Sequence, residues 1–252
     1  MHLLLPPSET KRDGGVEGSA LDLGALGFPA LNPVRRRMLA AVRSLSSNRV
    51  KAAAALKLGA TQLFEIDRNR ALRRSPVMAA MDRYTGVLYE ALDAATLPAA
   101  SRGFAEAHVV IHSALFGLVR ATDPIPAYRL SHDSSLPAHP LGRNWRGPLV
   151  AELEKLAGSQ TGPGLILDLR SESYVALGRA PEHALFLRVV TEEVGGARRA
   201  LNHFNKKGKG EFVRALLLAE TDHVDVDSLL RWATAAGIRL ERGEPGELQL
   251  VV

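Results

Sequence analysis

The chain has 252 residues, of which 46% are hydrophobic, 23% charged and 5% aromatic, and it carries a net charge of +5 with no cysteine. These proportions exclude a disordered or fibrous chain. The missing cysteines exclude disulfides, Cys-ligated zinc, iron–sulfur clusters and a thiol nucleophile.

Met1-His2-Leu3-Leu4-Leu5-Pro6-Pro7 lacks a basic start and a long apolar stretch, so no signal peptide is expected. No apolar run approaches a membrane span, and the expected address is the cytoplasm. The charge is unevenly placed. Six basic residues and no acid lie between Arg35 and Lys51, including Arg35, Arg36 and Arg37, and six more accompany only Glu211 between Arg198 and Arg214. The remainder has a net charge of −6. Two basic patches on an acidic body point to an anionic partner.

Residues 2–6 form a short apolar run ending in a Pro-Pro turn, and 12–33 are Gly- and Pro-rich, as in a surface loop. Val34, Met38, Ala41, Val42 and Leu45 have helical spacing, and Ser46-Ser47-Asn48 divides the stretch 33–58 into two helices. Further helices are expected over 61–72 and 76–92, the second opened by Ser75-Pro76. Val109-Val110-Ile111 reads as a buried strand, Ser113–Arg120 as helix, Asp123-Pro124-Ile125-Pro126 as a turn and 131–144 as loop. Helix over Trp145–Leu156 precedes strands at 165–169, 184–190 and 199–204. Helices over 210–220 and 227–236, the latter capped by Asp225 or Asp227, and strands near 238–241 and 247–251 complete the pattern. Interleaved strands and helices predict an α/β protein with a mixed sheet surrounded by helices, as one domain over 1–252.

Several polar groups fall where such a sheet presents ligand contacts. Ser8-Glu9-Thr10-Lys11 follows the first strand and Ser171-Glu172-Ser173-Tyr174 follows the strand at 165–169. Either segment serves a ligand or simply caps a turn. Arg120, Asp123, Tyr128 and Arg129 flank the proline-stiffened turn, as ligand contacts or as structural ion pairs. Asn205-Lys206-Lys207-Gly208-Lys209-Gly210 has the composition of a phosphate cradle at a strand-to-helix junction, or of a solvated basic turn, and it is not a Walker A loop. In the first reading Lys206 and Lys207, expected to lack a local neutralising carboxylate, aim at an anion. His108 and His112, four apart and on one face of a strand, and His223 with Asp225 and Asp227 lack a third ligand by spacing, so neither a metal nor a cofactor is expected.

In order along the chain, four segments resemble the YaaA-type peroxide stress proteins: Leu4-Leu5-Pro6-Pro7-Ser8-Glu9-Thr10-Lys11; His112 to Arg120 with Asp123 to Leu130; Leu167-Asp168-Leu169-Arg170-Ser171-Glu172-Ser173-Tyr174; and His203 to Gly210. Thr10 stands where that family has Gly, Phe116 where it has Tyr, and Ala121-Thr122 where it has Pro-Leu. The resemblance implies an α/β domain of unusual topology, DNA binding through a helix-hairpin-helix-like element and a part in limiting iron-driven damage under hydrogen peroxide. It carries no reaction with it. The residues expected to meet duplex or distorted duplex DNA are Arg35, Arg36, Arg37, Lys206, Lys207 and Lys209. A second class of partner is a small phosphorylated or carboxylated ligand, held by Ser8, Lys11, Arg120, Asp123, Tyr128, Arg129, Ser171, Tyr174, Asn205, Lys206 and Lys207. No membrane partner is expected.

Overall fold

Runs such as Leu3-Leu4-Leu5, Val109-Val110-Ile111 and Ile166-Leu167 show no polar alternation, which suits strands covered on both faces. The computed structural model describes residues 1–159, 162–192, 198–200 and 203–252. These runs become the centre of one mixed sheet. Its strands are β1 (His2–Leu5), β3 (Val109–Ser113), β4 (Gly117–Arg120), β8 (Ile166–Asp168), β9 (Leu185–Glu192), β10 (Arg198–Ala200), β11 (Leu240–Arg242) and β12 (Glu247–Val251). The order is β11-β12-β9-β8-β1-β3-β4, with β10 also paired to β9. Two-stranded ribbons join β2 (Met78–Ala79) to β5 (Pro124–Ile125) and β6 (Gly158–Ser159) to β7 (Gly162–Pro163).

Central β1 runs parallel to both neighbours, with Leu3 opposite Val109 on one side and Leu167 on the other. The chain leaves β1 for β3 on one side and later returns to β8 on the other. The connections therefore diverge at the carboxyl end of β1, the place where open α/β sheets offer a crevice.

The helices are α1 (Asn32–Ser46), α2 (Arg49–Ala55), α3 (Phe64–Ala71), α4 (Ala80–Arg83), α5 (Val87–Leu92), α6 (Ala99–His108), α7 (Leu141–Ala157), α8 (Glu172–Val175), α9 (His203–Ala219) and α10 (Val226–Ala235). One contiguous apolar cluster joins β1, β3 and β8 to α1, α7 and α9 through Leu4, Val110, Leu167, Met38, Trp145 and Leu216. The division of α1 from α2 falls at the expected Ser47-Asn48, where the Asn48 side chain accepts the Lys51 N–H. Asp225, rather than Asp227, caps α10 by accepting from the Ser228 N–H at 2.7 Å. No helix among the described residues is long and apolar enough to cross a membrane.

Four expectations are corrected. Residues 113–120 form a β3–β4 hairpin, not a helix, because Gly117 takes φ +68° and any Cβ there would meet the Trp145 ring at 2.7 Å. The single helix expected over 76–92 is replaced by β2, α4 and α5, with Gly86 at φ +90° between the two helices. Helix α6 occupies 99–108, so His108 ends a helix and shares no strand face with His112. Finally, residues 205–210 are not a loop. The strand expected over 199–204 ends at Ala200, 201–202 lie outside the described residues, and α9 is under way by His203.

Gly208 and Gly210 serve packing rather than a turn. A Cβ on Gly208 would press on Val252, and one on Gly210 would overlap the Leu88 carbonyl of α5.

Candidate functional site

Pro6-Pro7 stops β1, and the next residues fold back along α4 and α5. Arg12 N–H donates to Arg83 O at 2.9 Å and Thr85 N–H to Thr10 O at 3.2 Å. This turns the Lys11 side chain inward, where Nζ donates to Ser8 O at 2.9 Å and Glu9 O at 3.1 Å and lies 4.1 Å from the Tyr128 ring centre. The ring face compensates part of the desolvation of the ammonium. Burial still lowers the Lys11 pKa to about 7, against the opposing pull of Glu65. Beneath it a hydroxyl chain links Tyr84 to Tyr128 at 2.8 Å and Tyr128 to Ser113 at 2.7 Å, and burial holds both phenols above their ordinary pKa. Ser113 Oγ also accepts the Leu115 and Phe116 N–H groups, which fixes the turn after β3.

Arg129 approaches from the next segment. The Asn69 amide accepts the Arg129 N–H at 2.9 Å and donates to its carbonyl at 2.8 Å, so the backbone is held on both sides. Its Nη2 donates to Glu9 Oε2 at 2.8 Å, and Ser131 Oγ lies 3.4 Å from Glu9 Oε1. Below them is a buried ion pair, Arg170 to Asp168 through Nε and Nη2 at 2.8 and 2.6 Å. Arg170 Nη1 also donates to Gly178 O and to His112 Nδ1. Burial first, and Arg170 second, hold the His112 pKa well below its ordinary value. A neutral ring accepting at Nδ1 carries its proton on Nε2. That Nε2 is buried and has no hydrogen-bond partner among the described residues, as is true of Arg129 Nε and Glu65 Oε2. Tyr174 stands edge-on between His112 and His132, at 5.2 and 5.4 Å.

The carboxyl edge of β1 and β8 thus gathers Ser8, Lys11, Tyr128, Arg129 and Tyr174 from the expected set. Arg120 and Asp123 are not among them. The hairpin pairs Ser113 with Gly117 and Val110 with Arg120, which returns the chain to the amino end of β3. There Asp123 accepts from the Gly27 and Arg120 N–H groups, and Arg120 covers the Phe28 ring. Ser171 begins α8 exposed, without a side-chain capping bond.

Asn205, Lys206 and Lys207 lie on α9. Gly210 packs on Leu88 and Arg214 donates to Leu92 O, so α9 and α5 run parallel. Lys207 pairs with Glu211 at 3.2 Å, which removes the expectation that it lacks a local carboxylate.

Two expected DNA contacts are corrected outright. Arg35 is fully buried and donates to the carbonyls of Phe116, Gly27 and Leu118 and to Asn32 Oδ1. Lys209 is buried with Nζ on Leu169 O, and burial lowers its pKa to about 8.

Sequence reasoning missed Tyr84, Glu65, Ser131 and Arg170 as members of the cluster. For Arg170 a signal existed, since Asp168 and Arg170 interrupt an otherwise apolar strand and must meet each other there. Tyr84, inside an expected helix, gave none. Among the described residues no three metal-ligating side chains converge. Clefts among the described residues include one of about 380 Å³ lined by Arg146, Val150, Ala176 and Arg179, and one of about 320 Å³ whose lining includes Arg12, Tyr84 and Tyr89. Neither is lined by Lys11 or Arg129.

A second feature lies in the helical layer α1–α3. Residues 32–74 hold eleven Lys and Arg against two carboxylates, Glu65 and Asp67. Arg36, Arg37, Arg43, Lys51, Arg73 and Arg74 are exposed, with no ion pair among the described residues. On α1 they lie on the face away from buried Val34, Met38, Leu39 and Val42. The side chains of Arg198 and Arg199, counted in the second basic run, lie outside the described residues.

A family model described as Peroxide stress protein YaaA matches residues 1–240. A UPF0246 protein of Corynebacterium glutamicum (strain R) is 41% identical over 248 residues, covering 96% of this chain and 95% of the relative. A UPF0246 protein of Streptomyces coelicolor is 37% identical over 251 residues, covering 98% and 94%. One from Ruegeria sp. (strain TM1040) is 32% identical over 141 residues, about half of each chain. With a family match that runs from the first strand to the penultimate one, the chain belongs to the YaaA peroxide stress protein family.

Proposed function

We propose that this protein binds duplex or distorted duplex DNA through the α1–α3 layer and limits iron-driven damage to it under hydrogen peroxide. The observation that carries the reading is the net charge of +9 over residues 32–74, with six exposed cations that no carboxylate neutralises among the described residues. Phosphate contacts of this kind release counterions and bind without reading sequence. The stress role is supported by membership of the family. With only 5% aromatic residues the chain is poorly equipped for base stacking, which favours duplex over bare single strands.

The test is fluorescence anisotropy with a labelled duplex at 50 and 200 mM salt. Six phosphate contacts give a log–log salt slope of about −5 and roughly a thousandfold loss of affinity between those salts. Replacing Arg36, Arg37 and Arg43 together by Ala is expected to make the slope shallower by about 3. No binding at 50 mM salt, or a slope that the triple change leaves intact, overturns the reading.

A further inference from the structure

The guanidinium of Arg129 is half used. At two other arginines the side-on fork, Nε with Nη2, is filled by both oxygens of one carboxylate. Arg170 takes Asp168 at 2.8 and 2.6 Å, and Arg188 takes Glu247 at 3.0 and 2.5 Å. Arg129 offers the same two donors, yet Glu9 meets only Nη2, and Nε is buried with no partner. A buried donor left empty is costly, and a fork that is rigidly presented but half filled is a vacancy shaped for an oxyanion. Asn69 supplies the rigidity by holding Arg129 at both its N–H and its carbonyl.

The group now against Arg129 is poorly anchored. The Glu9 side chain is 56% exposed, whereas that of Arg129 is 7% exposed. Among the described residues its second oxygen has only the long 3.4 Å approach of Ser131 Oγ. Around the vacancy lie further groups suited to an anion. Ser131 is a buried hydroxyl, and the Lys11 ammonium is held to main-chain carbonyls, including that of Glu9 itself. Glu65, a carboxylate that attracts Lys11, already pairs its Oε1 with Arg68 at 3.0 Å, so it does not replace Glu9 on Arg129 when Glu9 swings out. The Arg129 cation is then without a carboxylate among the described residues, and an entering dianion favours the protonated form of Lys11, which suits a phosphoryl group better than a carboxylate.

We infer that Arg129, Ser131 and Lys11 form a receptor for the phosphoryl group of a small molecule, and that the Glu9 carboxylate occupies half of it in the free protein. Entry of the ligand exchanges one anion for another on the same fork. The Glu9 carboxylate moves out into water, no covalent bond changes, and Arg129 gains a bond at Nε. Glu9 is therefore an internal competitor, and its removal strengthens binding.

The experiment is calorimetric titration of the full chain with inorganic phosphate at constant ionic strength, with acetate as the second arm. If Glu9 holds the site nine-tenths of the time, Glu9→Ala tightens phosphate binding about tenfold over wild type. Arg129→Lys keeps the charge but loses the planar fork, so in the Glu9→Ala background it is expected to return phosphate binding to the wild-type level or below. A thermal melt of each variant checks folding, and Ser131→Ala in the same background is a milder probe with the same direction of effect. Phosphate that binds Glu9→Ala no better than wild type overturns the inference, as does equal binding to the Glu9→Ala, Arg129→Lys protein. Acetate binding as tightly as phosphate overturns the phosphoryl assignment. Replacing Arg36, Arg37 and Arg43 by Ala is expected to leave the phosphate titration unchanged, which keeps this site separate from the DNA-binding reading.

Discussion

Two of the places where this molecule buries a cation do so in opposite ways. At the junction of α1 with the β3–β4 hairpin, Arg35 is sealed from solvent and spreads its guanidinium over three carbonyls and one amide oxygen. At the carboxyl edge of β1 and β8, Lys11 and Arg129 are almost as deeply buried, but Arg129 Nε, His112 Nε2 and Glu65 Oε2 nearby have no partner among the described residues. The first arrangement is complete and holds loops together. The second is incomplete, and its open valences lie where the strand order of the sheet diverges. Burial of charge alone does not mark a functional site; burial with donors left over does.

The strongest way to test the contrast is to remove the complete member. Arg35→Ala leaves the carbonyls of Gly27, Phe116 and Leu118 without their donor and opens a void under α1. We expect a loss of about 3–5 kcal/mol in urea denaturation, while the neighbouring Arg36→Ala stays within about 0.5 kcal/mol. Equal effects at the two positions would mean that Arg35 is not the clamp described.

Next in size is the pH dependence set by Lys11. Its pKa is about 7 in the folded protein against 10.5 when exposed, because burial penalises the ammonium. Between those values the unfolded chain holds a proton that the folded chain has released, so stability rises with pH from about 7 to 10.5 and is flat below. The upper limit is about 1.4 kcal/mol per pH unit. With neighbouring charges taken into account, we expect wild type to gain on the order of 2–3 kcal/mol relative to Lys11→Met between pH 7 and pH 10. Urea midpoints of both proteins at the two pH values measure it, and parallel curves would place the lysine in water.

The same contrast explains what the sequence could disclose. The strands of the sheet centre were legible because Leu3-Leu4-Leu5, Val109-Val110-Ile111 and Ile166-Leu167 are apolar on both faces, and only a covered strand permits that. The hairpin was not, since Ser113–Arg120 has apolar residues at helical spacing and the deciding element is one residue, Gly117, pressed against Trp145 from a distant helix. Glycine misled at α9 in the opposite direction. Gly208 and Gly210 suggested a loop, yet they let one helix lie close against another element. Arg35 could have been separated from Arg36 and Arg37, because it falls in register with Met38, Leu39 and Val42 on the buried stripe of α1. Of the cluster at the carboxyl edge, the motifs Ser8–Lys11 and Ser171–Tyr174 could be read. The contribution of Tyr84, Asn69 and Glu65 depends on how α3 and α4 dock, which no local spacing encodes.

A smaller effect separates the incomplete cluster from ordinary structure. Arg129→Lys removes a contact to the mostly exposed Glu9 and leaves the Asn69 clamp on the backbone in place. Its cost in urea denaturation is expected not to exceed about 1 kcal/mol, well below that of Arg35→Ala. A loss equal to that of Arg35 would make Arg129 a second structural clamp.

The smallest expected effect is at Lys207, which marks the boundary of the comparison on the exposed side. Its ammonium lies 3.2 Å from Glu211, one turn later on α9, and both side chains are more than half exposed. Water screens such a pair, and ordering two long side chains offsets much of the attraction, so Lys207→Ala should cost about 0.3–0.5 kcal/mol. Because Glu211 already neutralises it locally, the change should also leave the duplex salt slope nearly where it was. Lys209, two residues on, is buried with its ammonium on Leu169 O, and Lys209→Ala should cost several times more through the unfilled carbonyl. Urea denaturation of the two variants side by side gives the ratio. If Lys207 proves as costly as Lys209, or if its loss flattens the salt slope by a full unit, then α9 presents its first turns to an anion after all, and Glu211 is a bystander rather than a partner.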